Sequence, residues 1–320
     1  QTEDDYARIQ QAATVLIDSD ITTVDYDVTT FLMLADPTLN IETGGHFVNT
    51  GGFLCYSGTI NQTGGQADVG GGLTLGQSAD DLARYTISGA STVFNALNGS
   101  YANLTIGNSA TGTTDVDGNI TQYGGEFIQN DGAVSWDLRL SLGRNRDATG
   151  KYELNGGTFT HDQINGICAI GGAYYDSGTD PDDSDGTGLF LQTGGDATWN
   201  YGVSIGSGAD AQGTYHMTDG TAAFNSGLTV GASATGDVGT GGDTYGGTFV
   251  QDGGTVTVGT PANTKRLNVG QSADASGAYI LNGGTLTAAG PGYTGDLNVA
   301  ENGTGLFEIN GGVADFTNEG

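Results

Sequence analysis

Long apolar runs are missing from this chain: the longest, Phe31 to Ala35, is far short of what a membrane-spanning helix needs. Positive charge is scarce too. Lys and Arg number 8 against 37 Asp and Glu, a net charge of −29, which argues against binding nucleic acid or an anionic membrane surface through charge. With two cysteines in 320 residues there is no disulfide framework, and with only four prolines beside 59 glycines the chain is neither collagen-like nor a proline-rich linker. No charged-then-apolar leader opens the chain. Its start at Gln1 is what a mature exported protein would show after leader removal.

What is present is a repeat. The stretch Leu267 to Leu286, LNVGQSADASGAYILNGGTL, reads as a short strand ending in glycine, a small-residue turn, a second strand, a Gly283-Gly284 turn and a third strand. The opening apolar-x-apolar-Gly signal recurs at Leu73, Leu104, Leu140, Cys168, Val203, Leu228 and Leu267, with a variant at Leu297 and an irregular earlier copy over Phe53 to Val69. No copy holds enough apolar residues to make a core alone, so the copies must stack as a solenoid. The tightest, Val203 to Ser226, repeats after 25 residues, which suits one coil of three strands.

Down the stack, the second strand's inward position reads Ile60, Tyr85, Phe127, Tyr152, Phe190, Tyr215, Phe249, Tyr279 and Phe307. At about 4.8 Å per coil these rings are within stacking distance and belong to the core. Two residues on stand Gln62, Ile87, Gln129, Leu154, Gln192, Met217, Gln251, Leu281 and Ile309, alternating glutamine with an aliphatic until the last coil. The step from the anchor glycine to the ring is nine residues at Leu73, Leu140, Val203 and Leu267, but twenty, nineteen and eighteen at Leu104, Cys168 and Leu228. The unit is therefore two coils, one of which carries an excursion, near 108–125, 172–188 and 232–247. Cys55 and Cys168 fall four coils apart, beyond disulfide reach, and read as buried apolar residues.

Residues 1–45 differ in kind. Apolar residues at 9, 12, 13, 16 and 17 behind Asp4 and Asp5 predict a short helix over Tyr6 to Ile17, followed by a β-rich stretch. Together they would cap the solenoid of residues 46–320 or contact a partner molecule. At the other end, VADFTNEG follows Gly311-Gly312 with no polar cap, so the last coil reads as open.

Chemistry is sparse. His46, His161 and His216 have no zinc-ligand spacing, no nucleophile elbow occurs, and the outward position of the first strand reads Thr74, Thr105, Ser141, Ala169, Ser204, Thr229, Asn268, Asn298, which offers neither acid nor base. Arg139, Arg144 and Arg146 form a small basic cluster that reads as local charge balance. The sequons at Asn61, Asn98, Asn103, Asn119 and Asn302 arise by chance in a chain this rich in Asn, Ser and Thr. The excursions carry Asp115 and Asp117, then Asp176, Asp180, Asp182, Asp183 and Asp185, then Asp237 and Asp243. Carboxylates this dense on a turning backbone suit calcium, although the complete calcium-loop spacing is absent; the alternative is solvated acidic turns. The candidate calcium ligands are the aspartates of the first two groups.

The phrases LTLGQSAD, LTIGNSATG, YELNGGTF, LTVGASATG and LNVGQSADASGAYILNGGTL resemble the secreted repeat proteins of Planctomycetes and related bacteria that end in PEP-CTERM sorting tails, and also autotransporter-associated β-strand repeats. The resemblance covers roughly residues 39–312 and lacks the sorting tail. It implies an all-β, right-handed parallel β-helix, exported to the cell surface or an extracellular matrix. The expected function is that of a structural filament subunit whose partner is another copy of itself, head to tail, with extracellular polysaccharide as a further partner. A calcium-dependent adhesin or glycan-binding module and a polysaccharide-cleaving enzyme are the alternatives.

Overall fold

The computed structural model describes residues 6–9, 13–18, 30–49, 51–96, 103–115, 119–137, 139–162, 168–172, 185–235, 244–260, 265–288 and 297–316. Among them there are strands and turns and no helix. The strands form a parallel β-helix whose three sheets run along the solenoid: two of eleven strands (sheets 1 and 2) and one of ten (sheet 3). Each interior coil supplies one strand to each sheet, as Val203–Ile205, Gln212–Met217 and Thr221–Phe224 do. We number the coils 1 to 11 in chain order.

The predicted helix over Tyr6 to Ile17 is corrected. Tyr6–Ile9 and Thr14–Ile17 are strands, pairing in parallel with Thr30–Met33 and Thr38–Ile41. These two strands thus belong to coil 1 itself and are not a helix packed over it. Spacing of apolar residues by three and four is also met by two short strands in succession, and burying strand edges against the next coil outweighs local helical preference.

Alternation dictates the rest. Inward columns of sheet 2 hold the rings in register, with centroids 4.6 to 5.0 Å apart from Tyr85 to Tyr279. Sheet 3 adds Phe94, Phe159, Trp199 and Phe224, which meet that stack edge-on, and Trp136, which stacks on Phe94. Each fully buried ring contributes on the order of 2 kcal/mol of burial, so this column supplies much of the cohesion between coils.

The glutamines explain the two-coil period. Tyr85, Tyr152, Tyr215 and Tyr279 each donate the phenol proton back to the glutamine Oε1 of the preceding coil, at 2.6 to 2.9 Å (Gln62, Gln129, Gln192 and Gln251). The same glutamine donates Nε2 to its own turn carbonyl and to a carbonyl on the third strand of the next coil, as Gln192 does to Gly195 and Thr221. A buried amide is tolerated when its groups are satisfied, and here one tyrosine and two carbonyls do it. A Phe-Gln coil followed by a Tyr-aliphatic coil is therefore a clipped pair. Burial pushes the tyrosine phenols up, which favours their protonated, donor form.

Turns fall where glycine tolerates them. The anchor glycines Gly76, Gly107, Gly143, Gly171, Gly206, Gly231 and Gly270 all have φ between 62° and 76°, the left-handed region. In coil 11 that column holds Ala300 at φ 59°. Cys55 and Cys168 are buried free thiols; burial raises both, Cys168 to about 12.

Candidate functional site

Of the seven candidate calcium ligands, two lie among the described residues. Asp115 sits in the first excursion at the tip of a hairpin made by Thr113–Thr114 and Ile120–Gln122. Its carboxylate accepts the backbone N–H of Asn119 at 2.9 Å and the Asn119 amide, which closes the tip. Asp185 has its carboxylate turned inward: Oδ1 accepts the backbone N–H of Asp210 from the coil above at 3.1 Å, and Oδ2 lies 3.8 Å from Arg146. Asp117, Asp176, Asp180, Asp182 and Asp183 fall outside the described residues, as do Asp237 and Asp243. Among the described residues no three His, Cys, Asp or Glu side chains converge to hold a metal ion.

The scattered histidines split two ways. His161 is buried in the inward column of sheet 3 beside Trp199. His46 and His216 each pair with a carboxylate, Asp68 and Asp252, at 2.7 Å. Asp68 also accepts Gln66 and Asn95, leaving little free lone-pair capacity for a reaction. Hydrogen bonds from Asn282 and His216 hold the Asp252 carboxyl below its usual range. Glu126 and Glu153, on neighbouring strands of sheet 2, are each engaged by a cation, Arg84 and Lys151. Burial pushes Glu153 up, but hydrogen bonds from Lys151 and Asn155 outweigh it and the carboxyl is held low. Arg84 and Lys151 thus balance the charges of Glu126 and Glu153.

Among the described residues the exposed large apolar side chains are Leu16 (50%), Val299 (39%), Ile309 (53%) and Val313 (59%). All four belong to outermost strands: Thr14–Ile17 at one end, and Leu297–Val299, Thr304–Ile309 and Val313–Asp315 at the other. Val299 and Ile309 stand in inward-facing columns whose other interior members are buried; they are exposed because no strand pairs beyond them. Strand edges of this kind carry unpaired N–H and C=O groups ready to accept a further strand.

The clip is missing at both ends. Coil 1 puts Val15 and Ile17 in the ring and glutamine columns, coil 2 puts Leu39 and Ile41 there, and coil 11 has Phe307 and Ile309. A glutamine in place of Ile309 would have no tyrosine of a following coil to bond among the described residues. The break in alternation at Ile309 is visible in the sequence; that it coincides with the loss of a hydrogen bond is visible only in the fold. Phe316 packs edge-on against Phe307 at 5.8 Å, covering part of the ring.

Compared with protein-family models, with curated proteins and with solved structures, the chain has no match in any of the three, so its function is argued from its own geometry.

Proposed function

We propose that the chain is a structural subunit of an extracellular filament or surface matrix, joined end to end by stacking coil 1 of one copy on coil 11 of the next. The observation that carries this reading is the match of the unclipped columns. Continuing each column across such a junction sets Ile9 over Val299, Val15 over Phe307 and Ile17 over Ile309. Every one of these meetings is apolar on apolar, and no buried glutamine or tyrosine is left without its partner. Two strand edges would gain backbone hydrogen bonds in the same step.

Head-to-tail contact between unlike ends does not close on itself, so it propagates as a fibre. The net charge of −29 spread over the sides opposes lateral clumping, which favours linear growth. The similarity of the repeat phrases to exported bacterial repeat proteins supports placement outside the cell. Calcium held by the acidic excursions would neutralise the sides and convert single fibres to bundles.

Electron microscopy and sedimentation of the purified chain, with and without calcium, test this reading. Fibres with an axial repeat near eleven coils, about 53 Å, are expected. Monomers at every concentration, with or without calcium, would overturn it. Ile309→Lys should abolish the fibres while leaving the fold intact, because the residue is exposed in the free chain and buried only in the junction.

A further inference from the structure

A pocket of about 300 Å³ opens on the outer face of sheet 2, where coils 3 to 5 meet the returning limb of the first excursion. Its floor is the outward file Thr59, Arg84 and Glu126, aligned on three consecutive strands about 4.8 Å apart. Gln122 and Tyr123, at the end of the excursion hairpin, line it from one side, and Asp36 of coil 2 adds a second carboxylate.

Glu126 sets this pocket apart from the other charged pairs. The residue is 7% exposed, so its charge is nearly buried, yet one of its two oxygens is open. Oε2 takes the Nε and Nη2 edge of Arg84, with Nε at 2.7 Å. Oε1 accepts no hydrogen bond among the described residues, and it is not sealed off in the interior, so it faces the pocket that Glu126 lines. Nearly buried carboxylates ordinarily fill their lone pairs from the protein. Arg84, whose side chain is 47% exposed, keeps Nη1 unengaged among the described residues. Burial, and then the Glu126 charge close by, pushes the Tyr123 phenol up and keeps its proton available.

We infer that this pocket holds one ring of a neutral polysaccharide, with adjacent hydroxyls on Glu126 Oε1 and Arg84 Nη1 and an apolar face of the sugar against Tyr123. A hydroxyl both donates and accepts, so two neighbouring hydroxyls match a free acceptor and a free donor held side by side by one ion pair. Charge argues against the rivals. An anion at Arg84 would face Asp36 and the open oxygen of Glu126, and a cation would face Arg84, whereas a neutral ring leaves the nearly buried pair intact. The volume lies at the small end of the range for ligand sites, which suits a single ring. The pocket is complete within one chain, on the side of the solenoid, so a result against end-to-end stacking leaves this inference and its test unchanged.

Calorimetry with the whole chain tests it, using dextran, mannan and galactan as neutral probes. Polygalacturonate and chitosan serve as anionic and cationic contrasts, and polyethylene glycol as a polymer without adjacent hydroxyls. Binding to at least one neutral polysaccharide, competed by its own free sugar, and none to polyethylene glycol is expected. Glu126→Gln should weaken that binding about tenfold or more, as loss of a charge-assisted hydrogen bond does. Thr59→Leu gives a second variant that spares the ion pair: the same outward column holds Leu189 at coil 7, so the fold should survive while the added side chain fills the pocket. Thr248→Leu, in that column at coil 9 and outside the pocket, should leave binding unchanged. No binding to any of the three neutral polysaccharides would overturn the assignment, as would equal binding to polyethylene glycol, tighter binding to polygalacturonate or chitosan, or unchanged affinity in Glu126→Gln and Thr59→Leu.

Discussion

Coils 3 to 10 and the coils at either end share one backbone pattern, yet they solve the problem of the neighbouring coil differently. In the interior, Gln62, Gln129, Gln192 and Gln251 each wait for one tyrosine from the next coil. That requirement makes every second interior interface specific: a coil slipped by one position would bury an amide and a phenol unpaired. At the ends, Val15, Ile17, Phe307 and Ile309 ask only for an apolar surface in the right columns. Polar pairing thus fixes the match of alternate interior coils, while the described end coils present only apolar residues in the same columns.

The largest expected break of this contrast is a cavity. Phe190→Ala removes a fully buried interior ring and should cost about 3–5 kcal/mol, while Phe307→Ala, in the partly covered terminal coil, should cost distinctly less; urea unfolding of the two variants checks the difference. The clip is probed next. Tyr215→Phe leaves the Gln192 carbonyl oxygen buried without its donor and should cost about 1–3 kcal/mol. Adding Gln192→Leu removes the orphaned amide as well as its other bonds, so the double variant should lose less than the sum of the two single variants, a coupling readable in a double-mutant cycle. Strict additivity would mean the alternation has another cause.

A smaller effect is expected to have the opposite sign. Ala300 takes the left-handed backbone that glycine takes in the seven preceding anchor positions, so Ala300→Gly should stabilise the terminal coil by about 1 kcal/mol, readable as slower local hydrogen exchange at residues 297–309. The smallest is a pH effect. Asp252 is held low by Asn282 and His216, so its contribution is present above the unfolded carboxyl pKa and is lost as pH falls below about 4 and through the folded value. The group is well exposed, so solvent screening keeps this small; Asp252→Asn should flatten only slightly the decline of the urea midpoint between pH 5 and pH 2.

Much of this architecture was legible before any coordinates. The apolar-x-apolar-Gly anchors, the ring column and the alternating glutamines follow from period-two patterning, and all stand where the sequence put them. Tyr6 to Ile17 misled because two four-residue strands joined by a short link place apolar residues at helix-like intervals, and only pairing with Thr30–Met33 and Thr38–Ile41 decides between them. The glutamine–tyrosine bond could not be read directly, since it depends on the phenol reaching back one coil rather than forward.

Cross-linking across the junction tests the stacking account most directly. Ile17→Cys with Ile309→Cys places two thiols in one column on opposite ends of the chain, and stacked strands about 4.8 Å apart are within the Cα separation of about 4.4–6.8 Å that a disulfide spans. The native thiols Cys55 and Cys168 are buried and raised by that burial, so they should stay silent. Mild oxidation should give a ladder of disulfide-linked multimers for this pair and none for Leu16→Cys with Ile309→Cys, whose side chains face opposite sides of the sheet. Monomers only, or the same ladder from both pairs, would contradict end-to-end stacking in register.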